Sequence, residues 1–328
     1  MLEDTFKKTI EKYGLLKKKD KLILGISGGP DSVCLLHQLL AVAKDYKLKI
    51  VCAHLNHNLR KEADAEERFI KKTCEGLGIR CISEKKDVGK LFKGDSLEQT
   101  ARNLRFDFFL RCSRQLKIKK LALAHHKDDL VETILMRLIR GSGLKGLRGF
   151  LPQTRFKELR VIRPMIELDK KEIVSWLEKR KLDFCIDKSN FQDKFFRNRI
   201  RLKLMPLLKE LNPNIVDSLY NLGSNISLDY DFLYRVSYEK FLKLKRKEAL
   251  GGLRLDLKGL KQLPLALFNN VLRIALHEAK GNSRRLEAKH LDELRELVFK
   301  RPQASVVDLP YLVAKKEDKT LLIQSLIL

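Results

Sequence analysis

The residues best equipped for chemistry stand in a few short clusters. Gly25-Ile26-Ser27-Gly28-Gly29-Pro30-Asp31-Ser32 combines two hydroxyls, paired glycines and one carboxylate. This pattern suits an anion. Gly28 and Gly29 let backbone N–H groups approach a phosphate without Cβ atoms in the way, Ser27 and Ser32 add hydroxyl donors, and Pro30 presets φ for a helix start. Asp31 beside a phosphate is repulsive unless Mg²⁺ lies between them, which makes it the candidate metal ligand. An ordinary tight turn before a helix is the plain alternative. No Lys follows the glycines and there is no Gly-x-Gly-x-x-Gly spacing, so neither the common ATPase loop nor the dinucleotide fingerprint is present.

His125-His126-Lys127-Asp128-Asp129-Leu130-Val131-Glu132-Thr133 is the acidic cluster. Asp129 and Glu132 are three apart, so on a helix they share a face and concentrate negative charge suited to an ammonium group or Mg²⁺. Capping by Asp128 explains one acid but not the paired histidines. A metalloenzyme site using His and Asp together stays open. His54 and His57, in His54-Leu55-Asn56-His57-Asn58-Leu59-Arg60, lack a third ligand nearby and read as polar lining of a cleft. Arg102 and Arg105 are spaced to share a helix face and reach phosphate as bidentate donors. Asp187-Lys188-Ser189-Asn190, followed by Phe195-Phe196-Arg197-Asn198-Arg199-Ile200-Arg201, reads equally as a nucleic-acid or carboxylate binder and as an amphipathic helix at a domain junction.

These clusters need elements to hold them. Apolar periodicity predicts strands over 21–26, 50–55, 80–83 and 121–124, and helices over 32–44, 62–77, 97–116 and 128–138, after an N-terminal helix ended by Gly14. Strand and helix in repeated alternation predict an α/β fold with a doubly wound, mainly parallel sheet and right-handed crossovers. Ligands on such sheets bind at the carboxyl ends of the strands. Each cluster follows a strand or lies on the next helix, as one shared site requires. Beyond Gly143 the periodicity weakens, leaving loops around one helix over 169–179. A boundary near Pro206 to Pro213 divides a catalytic domain, 1–210, from a smaller, mainly helical accessory domain, 211–328, whose stretches 305–309 and 320–323 are more strand-like.

Lys plus Arg number 68 against 42 Asp plus Glu in 328 residues, a formal net charge of +26. That excess points to a polyanionic partner such as RNA. Lys243, Lys245, Arg246, Lys247, Arg284 and Arg285 lie outside the chemical clusters and are assigned to an RNA backbone. The start, Met1-Leu2-Glu3-Asp4, is not a signal peptide, and no apolar run reaches the roughly 18 residues of a membrane span. A cytoplasmic location and no membrane partner are expected. The six cysteines include no Cys-x-x-Cys pair and read as reduced core residues.

The order of these clusters resembles the tRNA(Ile)-lysidine synthetases. Ser27-Gly28-Gly29-Pro30-Asp31-Ser32 resembles the pyrophosphate loop of enzymes that cleave ATP between the α- and β-phosphates. His54 to Arg60 matches a family segment, with Asn58 where Gly is more usual, and the Ala101-Arg102 helix matches another. His125 to Thr133 continues into Arg137-Leu138-Ile139-Arg140-Gly141, followed by Arg163-Pro164, the Asp187 to Asn190 segment and Arg197-Asn198-Arg199-Ile200-Arg201.

The resemblance implies a pyrophosphate-loop ATPase fold using ATP and Mg²⁺. ATP adenylates the C2 carbonyl oxygen of the wobble cytidine in an isoleucine tRNA with a CAU anticodon. The ε-amine of free L-lysine then displaces AMP to give lysidine. It puts the pyrophosphate and Mg²⁺ at Gly28 to Ser32, with Ser27 and His54 in the nucleotide site, and gives Arg105 and His125 the charge developing on the α-phosphate. Asp129 and Glu132 take the lysine ammonium groups, one of them also serving as base, and Arg197 fixes substrate. The C-terminal part resembles the first accessory domain of longer members, and the chain is expected to stop short of their further terminal domain. A homodimer would be ordinary. The competing readings are another tRNA-modifying ATP pyrophosphatase, such as a cluster-free thiolase, and a nucleotide-switched tRNA-binding protein.

Overall fold

The computed structural model describes residues 1–59, 62–91, 97–186, 196–246, 252–281 and 286–326. Arg60, Asp187 to Asn190, Phe195, Lys247, Arg284 and Arg285 lie outside the described residues.

Two compact units divide the chain, Met1–Asn225 and Ile226–Leu328. The first opens with α1 (Leu2–Lys12), β1 (Lys21–Gly25), α2 (Pro30–Tyr46), β2 (Lys49–Asn56), α3 (Ala63–Gly76), β3 (Cys81–Lys85) and α4 (Val88–Leu91). It continues through α5 (Leu97–Leu116), β4 (Lys120–Ala122), α6 (Lys127–Ile139), α7 (Leu144–Leu147), β5 (Gln153–Phe156), β6 (Leu159–Ile162) and α8 (Lys170–Lys179). α9 (Phe196–Arg199), a π-helical turn (Ile200–Leu204) and α10 (Met205–Leu211) form one helical stretch, and α11 (Ile215–Leu244) follows.

The sheet runs in the order β3-β2-β1-β4-β6-β5. β1 pairs in parallel with β2 through Leu24 and Cys52, and with β4 through Leu24 and Ala122. Being central, β1 is buried on both faces: Leu22 and Leu24 join a core with α1, α2 and α8, while Ile23 joins Phe106, Phe108 and Phe109 of α5 on the other. That period of two is what a strand imposes. The chain leaves β1 toward β2 and β3, then returns to the opposite side at β4. This reversal opens a crevice at the carboxyl ends of β1 and β4.

The β5–β6 hairpin was not legible as strands. Each strand has four residues, and β5 lies at the edge, antiparallel to β6, with polar Gln153, Thr154 and Arg155. Such a run is too short to show alternation.

The second unit adds β7 (Lys245–Arg246), β8 (Leu253–Asp256), α12 (Leu257–Lys261), α13 (Leu265–Lys280), α14 (Ala288–Phe299), β9 (Val306–Leu309), β10 (Leu312–Lys316) and β11 (Thr320–Ser325). Its helices pack Phe268, Val271, Leu294 and Leu297 against Leu255, Ala314 and Ile323 of an antiparallel sheet ordered β7-β8-β11-β10-β9. The helical accessory domain therefore carries a five-stranded sheet, of which the sequence displayed only the last part. The division between units falls inside α11 rather than at 210/211. Its first turns explain this, since Ile215, Val216, Leu219 and Tyr220 pack with Val131, Leu135 and Ile200. Among the described residues, no helix is long and apolar enough to cross a membrane.

Candidate active site at the β1–β4 crevice

The glycine-rich turn leaves β1 and enters α2 at Pro30. Gly28 sits at φ +82°, and a Cβ there would meet Ile70 at 3.3 Å and the Cys185 Sγ at 3.4 Å. Glycine is therefore favoured by conformation, and a Cβ would also need the Ile70 side chain to give by a few tenths of an ångström. The Cys185 N–H donates to the Gly28 carbonyl at 2.9 Å, pinning the turn from outside. Ser32 Oγ accepts from the Ser27 N–H at 3.2 Å and donates to the Gly29 carbonyl at 2.9 Å, with Ser27 Oγ 3.2 Å away. The loop is thus held open by its own hydroxyls, with the first N–H groups of α2 facing the crevice end of β1, an arrangement that accepts phosphate.

Asp31, in the first turn of α2, does not stand alone. Lys170 Nζ donates to its Oδ1 at 2.5 Å, and His126 Nε2 lies 3.7 Å from the same oxygen. His126 is the hub of an acidic ring: its Nε2 is 3.4 Å from Asp129 Oδ2 and its Nδ1 3.6 Å from Asp128 Oδ2. Burial alone would lower its pKa, but Asp129, then Asp128 and Asp31, outweigh burial and raise it. His126, not Asp128, is the N-cap of α6, and Asp129 accepts its backbone N–H at 3.1 Å. Asp128 instead accepts the Lys170 N–H at 2.9 Å and so ties α6 to α8.

Asp129 and Glu132 do share a face, but they are not an open anionic pocket. Arg197 donates from Nε to Glu132 Oε2 at 2.7 Å and from an NH2 group to Asp129 Oδ1 at 2.8 Å. Arg201 donates from Nε to Glu132 Oε1 at 2.6 Å. Burial would raise the Asp129 pKa, yet His126 and Arg197 hold it well below the ordinary range. The two arginines are four apart on α9 and the π-helical turn, while Phe196, Ile200 and Leu204 of the same stretch pack on Val131 and Leu135. The segment is both amphipathic helix and carboxylate binder, so the two readings open in the sequence are compatible.

Beside this lattice lie buried basic groups that, among the described residues, form no ion pair with a carboxylate and leave ring or guanidinium nitrogens without a hydrogen-bond partner. Burial, then Arg102 and Arg197, pull Arg105 down to about 10, and its Nε is one of these nitrogens. Arg163, 5% exposed, donates to the Leu151 carbonyl at 2.8 Å while its Nε is also orphaned. Burial lowers His125 to about 3, so it is neutral, with Nδ1 unpartnered and the ring 5.1 Å from Phe150. Buried donors without partners are costly unless a ligand satisfies them. This chemistry fits an anion such as a nucleotide phosphate.

His54 Nδ1–H donates to the Ile26 carbonyl, 3.0 Å away, just before the loop, and among the described residues Nε2 has no partner. Burial lowers its pKa, which favours the neutral imidazole. Among the described residues, no group of three or more His, Cys, Asp or Glu side chains could hold a metal. Asp31 fits Mg²⁺ only as one ligand shared with phosphate oxygens, the usual way this ion is bound by nucleotide enzymes. Sequence reasoning passed over His126, Lys170, Arg163 and Arg201 as site residues. Arg201 was signalled by its four-residue spacing from Arg197; Lys170, 139 residues from Asp31, had no local signal.

A hydroxyl-laced glycine turn at a topological switch, in the same unit as buried arginines that pair with no carboxylate among the described residues, fits a PP-loop ATP-using enzyme. Residues 1–208 match the PP-loop domain family, and residues 255–317 match the TilS substrate binding domain. The U34-tRNA thiolase NcsA of Methanococcus maripaludis, a structure with its [4Fe-4S] cluster, has the same fold at TM-score 0.58 and 20% identity, over 68% of this chain and 78% of that one. The chain is 33% identical over 328 residues to the tRNA(Ile)-lysidine synthase of Clostridioides difficile, covering 98% of this chain and 70% of that protein. It is 37% identical over 302 residues to that of Clostridium tetani, covering 88% and 62%. The bifunctional protein TilS/HprT of Listeria monocytogenes is 42% identical over 239 residues, 71% of this chain and 37% of that one. The chain belongs to the tRNA(Ile)-lysidine synthase family, ATP-dependent PP-loop enzymes that form lysidine on tRNA(Ile).

Proposed function

We propose that this chain joins free L-lysine to C2 of the wobble cytidine in an isoleucine tRNA with a CAU anticodon. The C2 carbonyl oxygen attacks the α-phosphorus of ATP, and the bond to the β-phosphate oxygen breaks to release pyrophosphate. The lysine ε-amine then attacks C2 and the C2–O bond breaks, so AMP leaves with the electron pair. Gly28 to Ser32, with Ser27, cradle the phosphates, and His54 lines the nucleotide cleft. Mg²⁺ shared by Asp31 and the phosphates would neutralise charge on the departing pyrophosphate. Arg105, as cation, and neutral His125, as hydrogen-bond donor, stabilise charge developing on the α-phosphate.

The acid–arginine lattice suits a zwitterion. An amino acid can offer ammonium groups to Asp129 and Glu132 and a carboxylate to Arg197, exchanging ion pairs rather than burying bare charge. A free ammonium of pKa about 10.4 must lose a proton before attack. Asp129 and Glu132 are the carboxylates that would meet the ammonium groups, and one of them takes that proton.

The observation that carries this reading is the position of His126, 3.7 Å from Asp31 and 3.4 Å from Asp129, which makes the phosphate loop and the lysine lattice neighbours in one site. The test is incubation of a CAU-anticodon tRNA with ATP and lysine, followed by mass analysis of its nucleosides. AMP and pyrophosphate should appear, and cytidine should gain lysine, only when all three substrates are present. Turnover needing a sulfur donor instead of lysine would make it a thiolase, and nucleotide binding without turnover would make it a switch. A homodimer and a cytoplasmic location are proposed on the same resemblance, to be checked by sedimentation and cell fractionation.

A further inference from the structure

The phosphate loop has no lysine of its own, whereas the common ATPase loop carries one that reaches the β- and γ-phosphates. Among the described residues, Lys170 is the one Lys or Arg whose ion pair falls on the loop or the first turn of α2. We propose that Lys170 supplies the missing phosphate ligand, exchanging its pairing with Asp31 for phosphate oxygens when nucleotide binds. The inference rests on the nucleotide reading given above.

The root of this side chain is fixed. α8 begins at Lys170, whose N–H donates to Asp128 Oδ2 at 2.9 Å, and the neighbouring Leu168 carbonyl accepts the Lys127 N–H at 3.0 Å. Ile173 and Leu177 on the buried face of α8 are fully covered in the core that includes α2. The tip is different: the Lys170 side chain is 36% exposed and, among the described residues, its ammonium donates to Asp31 alone. A fixed root and a flexible four-carbon stem let the ammonium move a few ångströms without disturbing the helix.

Charge supplies the direction. Asp31 already has two basic neighbours, Lys170 and His126. A Mg²⁺ ion taking the same carboxylate would repel the ammonium, and the adjoining phosphate oxygens would offer it a new anionic partner. Lys127, by contrast, is committed to Asp169 at 3.2 Å and Asp217 at 2.9 Å.

The experiment measures binding of inorganic pyrophosphate and of AMP, each with Mg²⁺, by calorimetry on the full chain. Wild type is compared with Lys170→Gln, Lys170→Met and Lys170→Arg. Loss of a charged phosphate ligand should weaken pyrophosphate about tenfold or more in Lys170→Gln and Lys170→Met, leave AMP within about twofold, and be largely rescued in Lys170→Arg. Unchanged pyrophosphate affinity, or an equal loss for both ligands, makes Lys170 a structural strut and overturns the inference alone. Wild type that binds neither ligand overturns the nucleotide reading and this inference with it.

Discussion

The Arg197 Nε donates to Glu132 Oε2 at 2.7 Å, so the carboxylate assigned to lysine is already paired within the protein. Glu132 is 3% exposed and serves Arg201 as well. Glu132→Gln should raise the KM for lysine about tenfold or more while moving the KM for ATP less than about threefold. It should also destabilise the fold by about 1–3 kcal/mol, because two guanidinium groups lose their charge partner. Steady-state kinetics with each substrate varied, and urea unfolding, check both parts. Equal shifts for lysine and ATP would make the acidic pair a structural feature.

Gly28→Ala should be felt by fold and ligand together. The residue holds φ +82° with Ile70 and Cys185 closing on the Cβ position. A left-handed alanine costs about 1–2 kcal/mol, and crowding adds to it. Urea unfolding should show that loss, and calorimetry should show weaker ATP binding with lysine binding retained. Unaltered stability would contradict the geometry of the loop.

His126→Gln should change how stability depends on pH. The folded pKa of His126 is raised by Asp129, Asp128 and Asp31 against the opposing effect of burial. Its charge therefore contributes stability that is fully present below the unfolded value of about 6.5 and is lost as pH rises through the folded pKa. Wild type should lose more stability than the variant as pH rises above about 6.5 in urea titrations. Identical slopes would mean that His126 is neutral among the carboxylates.

Lys243→Ala should weaken tRNA binding without altering catalysis at saturation. Lys243 is exposed, whereas Lys245 and Arg246 are spent on Glu278 at 2.6 Å and Asp256 at 2.7 Å. Losing one phosphate contact should reduce the slope of log affinity against log salt by just under one. An unchanged slope would leave Lys243 a solvated lysine.

The first unit was legible wherever local chemistry repeats. The alternation of apolar strands and amphipathic helices from Lys21 to Ile139 follows from side-chain periodicity, and the glycine–hydroxyl turn is a local anion trap whatever surrounds it. Asp129 and Glu132 share a face because a helix forces residues three apart to do so. These properties depend on neighbours in sequence, so the sequence by itself determined them.

Tertiary structure decided what those groups meet. The β5–β6 hairpin is stabilised by pairing β6 onto β4, and β7, β8 and β10 by pairing within the second sheet, not by periods of their own. The charge state of the site was likewise invisible. Asp129 and Glu132 look free in sequence until Arg197 and Arg201 arrive from about 65 residues away, and Asp31 until Lys170 arrives from 139. Electrostatics and burial fall off with distance in space, not along the chain, so only the folded arrangement could tell an open acidic pocket from a balanced lattice.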